Sequence, residues 1–428
     1  MRPRVLVAVG LVLAAGCGAD DPDDGVTTRT ESTAGTSVGD ATVDATVAGT
    51  SATTGTAEGV GRTATPIRLV DIDDAVAVNV ATNGTGAPVL AWTEHDAVQV
   101  ARLDPDSFTL GTPIVISGEL EPIAHQIERP AISIGPDGIV HAAFTSAVGT
   151  GGTVQYVDLV GDTPTAPLRI SGEPLPETNL VHMTLVDDTP TLAWLEDSTL
   201  SVASPRDGVP AEIEGVDDLT CDCCNPAPIR LGNRLVVAYR NLERTDDGVI
   251  RDVYATTTGD DGATFSDPVP VADDHWLLDG CPFSGPAVAQ VDDALIVAWM
   301  DGRQSRHPDQ DGTTIWVDRS SDGGATFGTD VALTDAGIHR WPMLTVDTAG
   351  TTHIVWETQS GDAGGITYSR SIDGGITFDP PTVLLPDTDD SGPRRAPSVV
   401  AHGEHLLVTW TDRDGGHLAV FTIADLPR

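Results

Sequence analysis

The chain contains no lysine: all 23 of its basic residues are arginine, set against 64 aspartates and glutamates for a formal charge of −41 over 428 residues. So acidic a surface repels nucleic acid and anionic lipid, which excludes nucleic acid as a partner and leaves a membrane only as an anchor. A high-salt habitat or a GC-rich genome would account for the charge without any function, but arginines that cluster in such a field stand out. Past Leu13 there is no further apolar run long enough to cross a bilayer. Tyrosine is scarce, with only Tyr156, Tyr239, Tyr254 and Tyr368, and cysteine occurs five times.

Residues 1–17 open with Arg2 and Arg4, run apolar from Val5 to Leu13 and end in Ala14-Ala15-Gly16-Cys17. That is the build of a lipoprotein-type signal peptide, too short to span a membrane, with lipidation expected at Cys17. Residues 18–62 are mostly Thr, Ala, Gly, Ser and Asp, which cannot bury enough apolar surface to offset their ordering entropy, so they read as a disordered tether. Residues 63–428 form the foldable region. The expected location is extracytoplasmic, lipid-anchored to the cell envelope.

Seven times in the foldable region the chain repeats a single phrase, a short apolar strand ending in an aromatic: VLAWTE at Trp92, HAAFTS at Phe144, TLAWLE at Trp194, VVAYRN at Tyr239, IVAWMD at Trp299, HIVWET at Trp356 and LVTWTD at Trp410. Spacing of roughly 45–60 residues is that of a four-stranded propeller blade. The fold class is therefore all-β, a β-propeller with seven blades, or six if the short third copy is irregular. The sixth copy reads as strands at Met343–Val346, His353–Glu357, Ile366–Arg370 and Pro381–Leu385. The seventh supplies only three strands, and Thr65–Val70, which matches the outer-strand phrases of other copies, closes the ring and removes two exposed edges.

Copies four to six carry a sharper motif, S/T-x-D-x-G-x-T-F, at Thr258–Phe265, Ser320–Phe327 and Ser371–Phe378. It resembles the Asp-box, or BNR repeat, of the sialidase superfamily, a resemblance that covers the architecture from about residue 63 to the end. The Asp caps a turn between the third and fourth strands and the Gly permits positive φ, so the motif is structural and supplies no site residue.

Ligands of propellers meet the loops that enter the inner strands and those joining the second and third strands. Two entering loops hold Arg-x-Pro, which resembles the Arg-Ile-Pro phrase where sialidases place a carboxylate-binding arginine. The matching positions are Arg340 and Arg395, and Arg129 stands nearby in register. Three guanidiniums could bind a planar carboxylate, or could instead pair with acids of neighbouring blades. Glu94, Glu196, Asp301 and Asp412 lie two residues past the aromatic and Glu357 one past it. Asp301 and Glu357 are candidate catalytic acids, although such repetition also suits a structural role. Sialidases use a tyrosine nucleophile, and no tyrosine here falls on an entering loop, so the nucleophile that the resemblance implies is missing or relocated.

With Cys17 lipidated, Cys221, Cys223, Cys224 and Cys281 remain on two adjacent entering loops. An exported chain favours two disulfides, with Cys281 tied to one of the vicinal pair, and a thiolate metal site is the alternative. His307 and His339 could approach it. The insertion 301–311, rich in Arg and Asp, suits either a sugar-binding lip or a loop that pairs its own charges. The resemblance implies a cell-surface propeller that acts on or binds glycans, an exo-α-sialidase-type glycoside hydrolase if catalytic. The alternatives are a non-catalytic glycan- or protein-binding propeller and a metal-handling lipoprotein. No cofactor is implied, the partner is a glycan or a cell-surface protein, and a monomer is expected.

Overall fold

A computed structural model describes residues 64–428, apart from 85, 176–177, 206–212, 233, 260–263, 304–311, 336 and 360–363. The expected signal segment with Cys17, the expected tether, and residues 304–311 of the insertion with His307 lie outside the described residues, as does the centre of the first Asp-box-like turn.

The seven repeats build seven antiparallel sheets arranged as propeller blades, six of four strands and that of blade two with a fifth, Thr163–Pro164. The inner strands run Ala77–Ala81, Ala131–Ile134, Asn179–Val186, Ala227–Leu231, Ala287–Val291, His339–Val346 and Arg395–His402. The third copy is a complete blade, Asn179–Val186, Thr189–Glu196, Thr199–Ala203 and Glu214–Asp217, which settles the count at seven. No α-helix occurs among the described residues, and a single 3₁₀ turn spans Ile423–Asp425.

Closure is made by the leading segment. Strand Arg68–Ile72 pairs antiparallel with Gly415–Thr422, from Arg68 opposite Val420 to Ile72 opposite Gly416. It starts three residues later than the Thr65–Val70 phrase suggests. Pro66 has no N–H to give the ladder, and it is the alternation after it, with Val70 and Ile72 buried and Arg68, Leu69 and Asp71 exposed, that fits an outer strand.

The repeated aromatics hold neighbouring blades together. Trp356 of blade six packs among Ile296, Ala298 and Val317 of blade five, Trp299 against Val236 and Ala255 of blade four, and Trp194 against Ala143 and Tyr156 of blade two. Trp92 of blade one packs against Leu407 and Leu418 of blade seven, so this type of contact also spans the closure of the ring. Each of these tryptophans is at most 2% exposed. Truncating one to Ala would cost about 3–5 kcal/mol.

Two of the Asp-box-like turns are alike atom for atom. Asp322 accepts from the Thr326 N–H (2.9 Å) and hydroxyl (2.6 Å), and Asp373 does the same from Thr377 at the same distances. These bonds, that from the Thr hydroxyl foremost, hold both carboxyls down at about 2. Gly375 sits at φ +84°, and a Cβ there would meet Ile296 Cδ1 at 2.6 Å, so both conformation and space require glycine.

Candidate functional site

The residues that break the repeat locate the site. In blades one, five and seven the carboxylate two positions past the aromatic accepts that tryptophan's indole N–H: Glu94 from Trp92 (2.9 Å), Asp301 from Trp299 (2.8 Å) and Asp412 from Trp410 (3.3 Å). Buried indole N–H groups need such a partner, so these carboxylates belong to the scaffold. Asp301 is engaged further. It accepts from Arg303 at 3.0 Å, and Arg303 also meets Asp274 and Asp330 at 2.7 Å each and stacks 3.6 Å above Trp316. The structure thus places Asp301 in an ion cluster with Arg303 and not in contact with Arg129, Arg340 or Arg395.

In blade six the carboxylate is one position earlier. Successive strand residues face opposite ways, so where Trp356 faces blade five, Glu357 faces blade seven. It is 1% exposed and lies opposite Arg340 in the ladder. Burial pushes its carboxyl up to about 7, even though the Gln359 amide and the charges of Arg395 and Arg340 pull the other way. Gln359 donates to Oε1. The buried Oε2 has no hydrogen-bond partner among the described residues.

Arg340 and Arg395 are presented by matching backbone devices. Each lies at the beginning of its inner strand beside a β-bulge, with register shifts at Arg340/Met343 and Arg395/Ser398. Each is followed by a non-glycine residue in the left-handed region, Trp341 (φ 52°) and Ala396 (φ 49°). Such residues cost roughly 1–3 kcal/mol each, and the device recurs in blade three, where Leu180 (φ 54°) follows Asn179 at a register shift, so it belongs to the entry of inner strands and is not confined to the two arginines. The bulge also explains why the inner strand of blade six begins at His339 and not at Met343. The ladder resumes on the far side of Trp341-Pro342.

Arg129 does a different job. Only 7% exposed, it reaches from blade two to the carbonyls of Ala396 (3.5 Å) and Pro397 in blade seven and to Met343 Sδ (3.5 Å) in blade six. Burial lowers its guanidinium to about 10. It is a strut between inner strands, with its donors committed to the scaffold. Around it lie Glu128, pushed up to about 7 by burial, and His182, pushed down to about 3 by burial and by the Arg129 charge. The sequence patterns did not single out Glu128, His182 or Gln359; position on an entering loop was the available signal for Glu128.

Beside Arg395 a cavity of about 260 Å³ is lined by Gln126, Ser391, Pro393, Thr411, Asp412 and Arg413. A larger one, about 780 Å³, lies among the inner-to-second-strand turns of blades five and six, with Asp292, Asp293, Asp347 and Gly374 on its wall. Those turns are at the opposite end of the strands from the entering loops, and Asp347 there is already bonded to Thr351, Ala349 and His353. The smaller cavity opens at the entering-loop end and has Arg395 on its wall, which makes it the better candidate for a mouth.

The tyrosines stay out of this mouth. Tyr156, Tyr254 and Tyr368 lie on third strands and Tyr239 is the aromatic of blade four. Burial, in most cases with nearby carboxylates, pushes all four phenols up. Tyr156 and Tyr239 donate to Asp158 and Asp217, and Tyr368 meets His353 at 2.9 Å. A tyrosine nucleophile needs the opposite shift.

The cysteines gather at the same end, on the loops entering blades four and five. Cys221 Sγ lies 3.3 Å from the sulfurs of both Cys223 and Cys224, and Cys223 and Cys281 are paired at bonding distance with Cα atoms 6.2 Å apart. Cys221 and Cys224 are buried thiols. Arg251 donates to Cys221 Sγ at 2.9 Å. Burial alone would raise the Cys221 thiol, but Cys224, Arg251 and Arg240 outweigh it and bring it to about 6. The loop after Cys281 touches the arginine mouth directly: Ser284 Oγ accepts from Trp341 N–H at 3.0 Å, and the Phe283 carbonyl accepts from the Trp341 indole. Of the two histidines expected nearby, His339 bonds to Thr358 and Thr313 instead.

No protein-family model matches the chain, and no curated protein matches it. Among solved structures, a protein of unknown function from Dyadobacter fermentans aligns with a TM-score of 0.51 at 14% identity, covering 84% of this chain and 99% of its own. A Hadza microbial sialidase, Hz136, aligns at 0.45 and 12% identity over 77% of this chain and 74% of its own. The α-L-arabinofuranosidase Arb93A of Fusarium graminearum aligns at 0.47 and 12% identity over 69% of this chain and 93% of its own. At these identities the likeness speaks to the fold alone.

Proposed function

We propose that this chain is an exported, envelope-anchored propeller of the sialidase-like type that takes an acidic glycan at the mouth formed by Arg340, Arg395 and Glu357. One observation carries the reading: a buried carboxyl held near neutral, with an unpartnered oxygen, faces two arginines mounted on matched, strained bulges. The guanidiniums supply bidentate recognition of a sugar carboxylate, and protonated Glu357 supplies a donor to a hydroxyl or a glycosidic oxygen. Anchoring through Cys17 would hold the mouth at the cell surface. The tyrosines do not accord with sialidase-type covalent turnover, so any hydrolysis would run through Glu357 as the acid and not through a phenolate.

A glycan array together with a panel of acidic glycosides tests this. Binding or turnover of carboxylate-bearing sugars, lost in Arg340→Ala and in Arg395→Ala at unchanged melting temperature, is the expected outcome. Silence of the wild-type protein on both would end the reading.

A further inference from the structure

The glycan reading makes no use of the four cysteines at the blade-four and blade-five loops, nor of the two arginines buried against them. Three of the sulfurs, those of Cys221, Cys223 and Cys224, lie 3.3, 3.3 and 3.9 Å apart. Cys281 completes the group as the partner of Cys223. A metal with bonds of about 2.3 Å to sulfur at tetrahedral angles sets its thiolates ~3.8 Å apart, so only small side-chain shifts separate this cluster from a ligand set.

The charges around the cluster point the same way. Arg240 and Arg251 are each 1% exposed. Arg240 donates to the carbonyls of Arg251 (2.5 Å), Ser284 (3.3 Å) and Met300 (2.8 Å), neutral partners that leave its charge in place. Asp252, whose oxygens accept the N–H groups of His275 (2.8 Å) and Trp276 (2.9 Å), brings one negative charge. Two disulfides would add none. Thiolates held on an ion would place negative charge beside these two guanidiniums. Arg251 on Cys221 Sγ then occupies the outer-shell place from which a donor tunes a coordinating sulfur.

We propose that Cys221, Cys223, Cys224 and Cys281 are the ligands of one soft, thiophilic d¹⁰ ion, Cu(I) or Zn(II), bound when the Cys223–Cys281 pair is reduced. An external dithiol supplies two electrons and two protons to that pair and itself becomes a disulfide. The ion then binds as each remaining thiol releases its proton. The site is closed, which marks it as a structural or storage site and not a Lewis-acid centre. Through Cys281 to Ser284 and on to Trp341 it braces the loop that carries Arg340.

The test uses the folded chain, reduced with a dithiol and freed of reductant without oxygen, then given Cu(I) or Zn(II) alone against a chromogenic chelator. One equivalent per chain is expected, with the relative affinities deciding between the two ions. Co(II) in their place should give sulfur-to-metal charge-transfer absorption. Arg251→Gln should weaken binding by roughly 10–100-fold. Cys221→Ser with Cys224→Ser should abolish it. Reduced wild-type protein that takes up neither ion and shows no charge-transfer band overturns the proposal, whether or not the variants fold. Neither result touches the glycan reading, which is scored on sugars.

Discussion

Glu357 and Arg240 occupy the same place in their repeats, one residue past the second-strand aromatic, and carry opposite charges. In the other five blades that place holds Thr93, Thr145, Leu195, Met300 and Thr411, all buried. Both charged residues look across the gap to the next blade, yet their surroundings differ in kind. Arg240 is enclosed by three carbonyls and lies 5.2 Å from the Trp276 ring centre, with its Nε alone left without a hydrogen-bond partner among the described residues. Glu357 keeps one buried oxygen without a partner among the described residues. Equivalent positions in a repeat protein thus serve different ends: Arg240 ties backbone carbonyls of blades four and five together, whereas Glu357 faces the charges of Arg340 and Arg395.

The sharpest way to break this comparison is to remove the guanidinium of Arg240 and, separately, that of Arg340 opposite Glu357. Arg240→Met keeps most of the volume but strands three buried carbonyls, and should cost about 3–5 kcal/mol in urea unfolding. Arg340→Met, at a half-buried position on the mouth, should cost under about 1 kcal/mol and instead abolish glycan binding. Equal losses of stability would show that both arginines are scaffold.

Next in size is the pH dependence at Glu357. Its folded carboxyl titrates at about 7, above its ordinary 4.5, so the native state holds the proton more tightly than the unfolded chain. That contribution to stability is complete below about pH 4.5 and is lost as the pH rises through about 7, a change on the order of 3 kcal/mol. Glu128 shifts in the same direction. Glu357→Gln, which mimics the protonated acid, should therefore flatten some of the decline between about pH 4.5 and 7.5 and leave the rest to Glu128. A wild-type stability that does not fall across that interval would mean that Glu357 is charged and solvated, and the mouth would lose its acid.

The architecture was legible because each blade repeats the same solution: the aromatic phrase, the turn motif and the orphan strand at Arg68–Ile72 all express local rules that recur from copy to copy. The site was only partly legible. Arg340 and Arg395 announced themselves as Arg-x-Pro before an inner strand, but nothing in their spacing revealed that Trp341 and Ala396 adopt left-handed backbone. Arg129, nearby in register but directly before its proline, turns out to cross between blades as a strut, a contact spanning 268 residues. Asp301 and Glu357 looked like members of one carboxylate series. A one-residue offset puts them on opposite faces of their strands, and that parity could have been counted from the sequence.

The same parity yields the smallest effect and the control for the others. Glu94 and Asp412 accept an indole N–H from the aromatic two residues before them, so Glu94→Gln and Asp412→Asn keep an acceptor oxygen in place and should lose only about 1 kcal/mol or less. Asp301→Asn should cost more, because Arg303 would be left with weaker partners in a half-buried cluster. Glycan binding should survive in the first two, read on the same array that reports its loss in Arg340→Ala. Asp412 also lines the cavity beside Arg395, so it is the more demanding of the pair. If Asp412→Asn abolished binding at unchanged stability, the ligand would sit against blade seven, and the boundary drawn between scaffold and site carboxylates would move one residue along the strand.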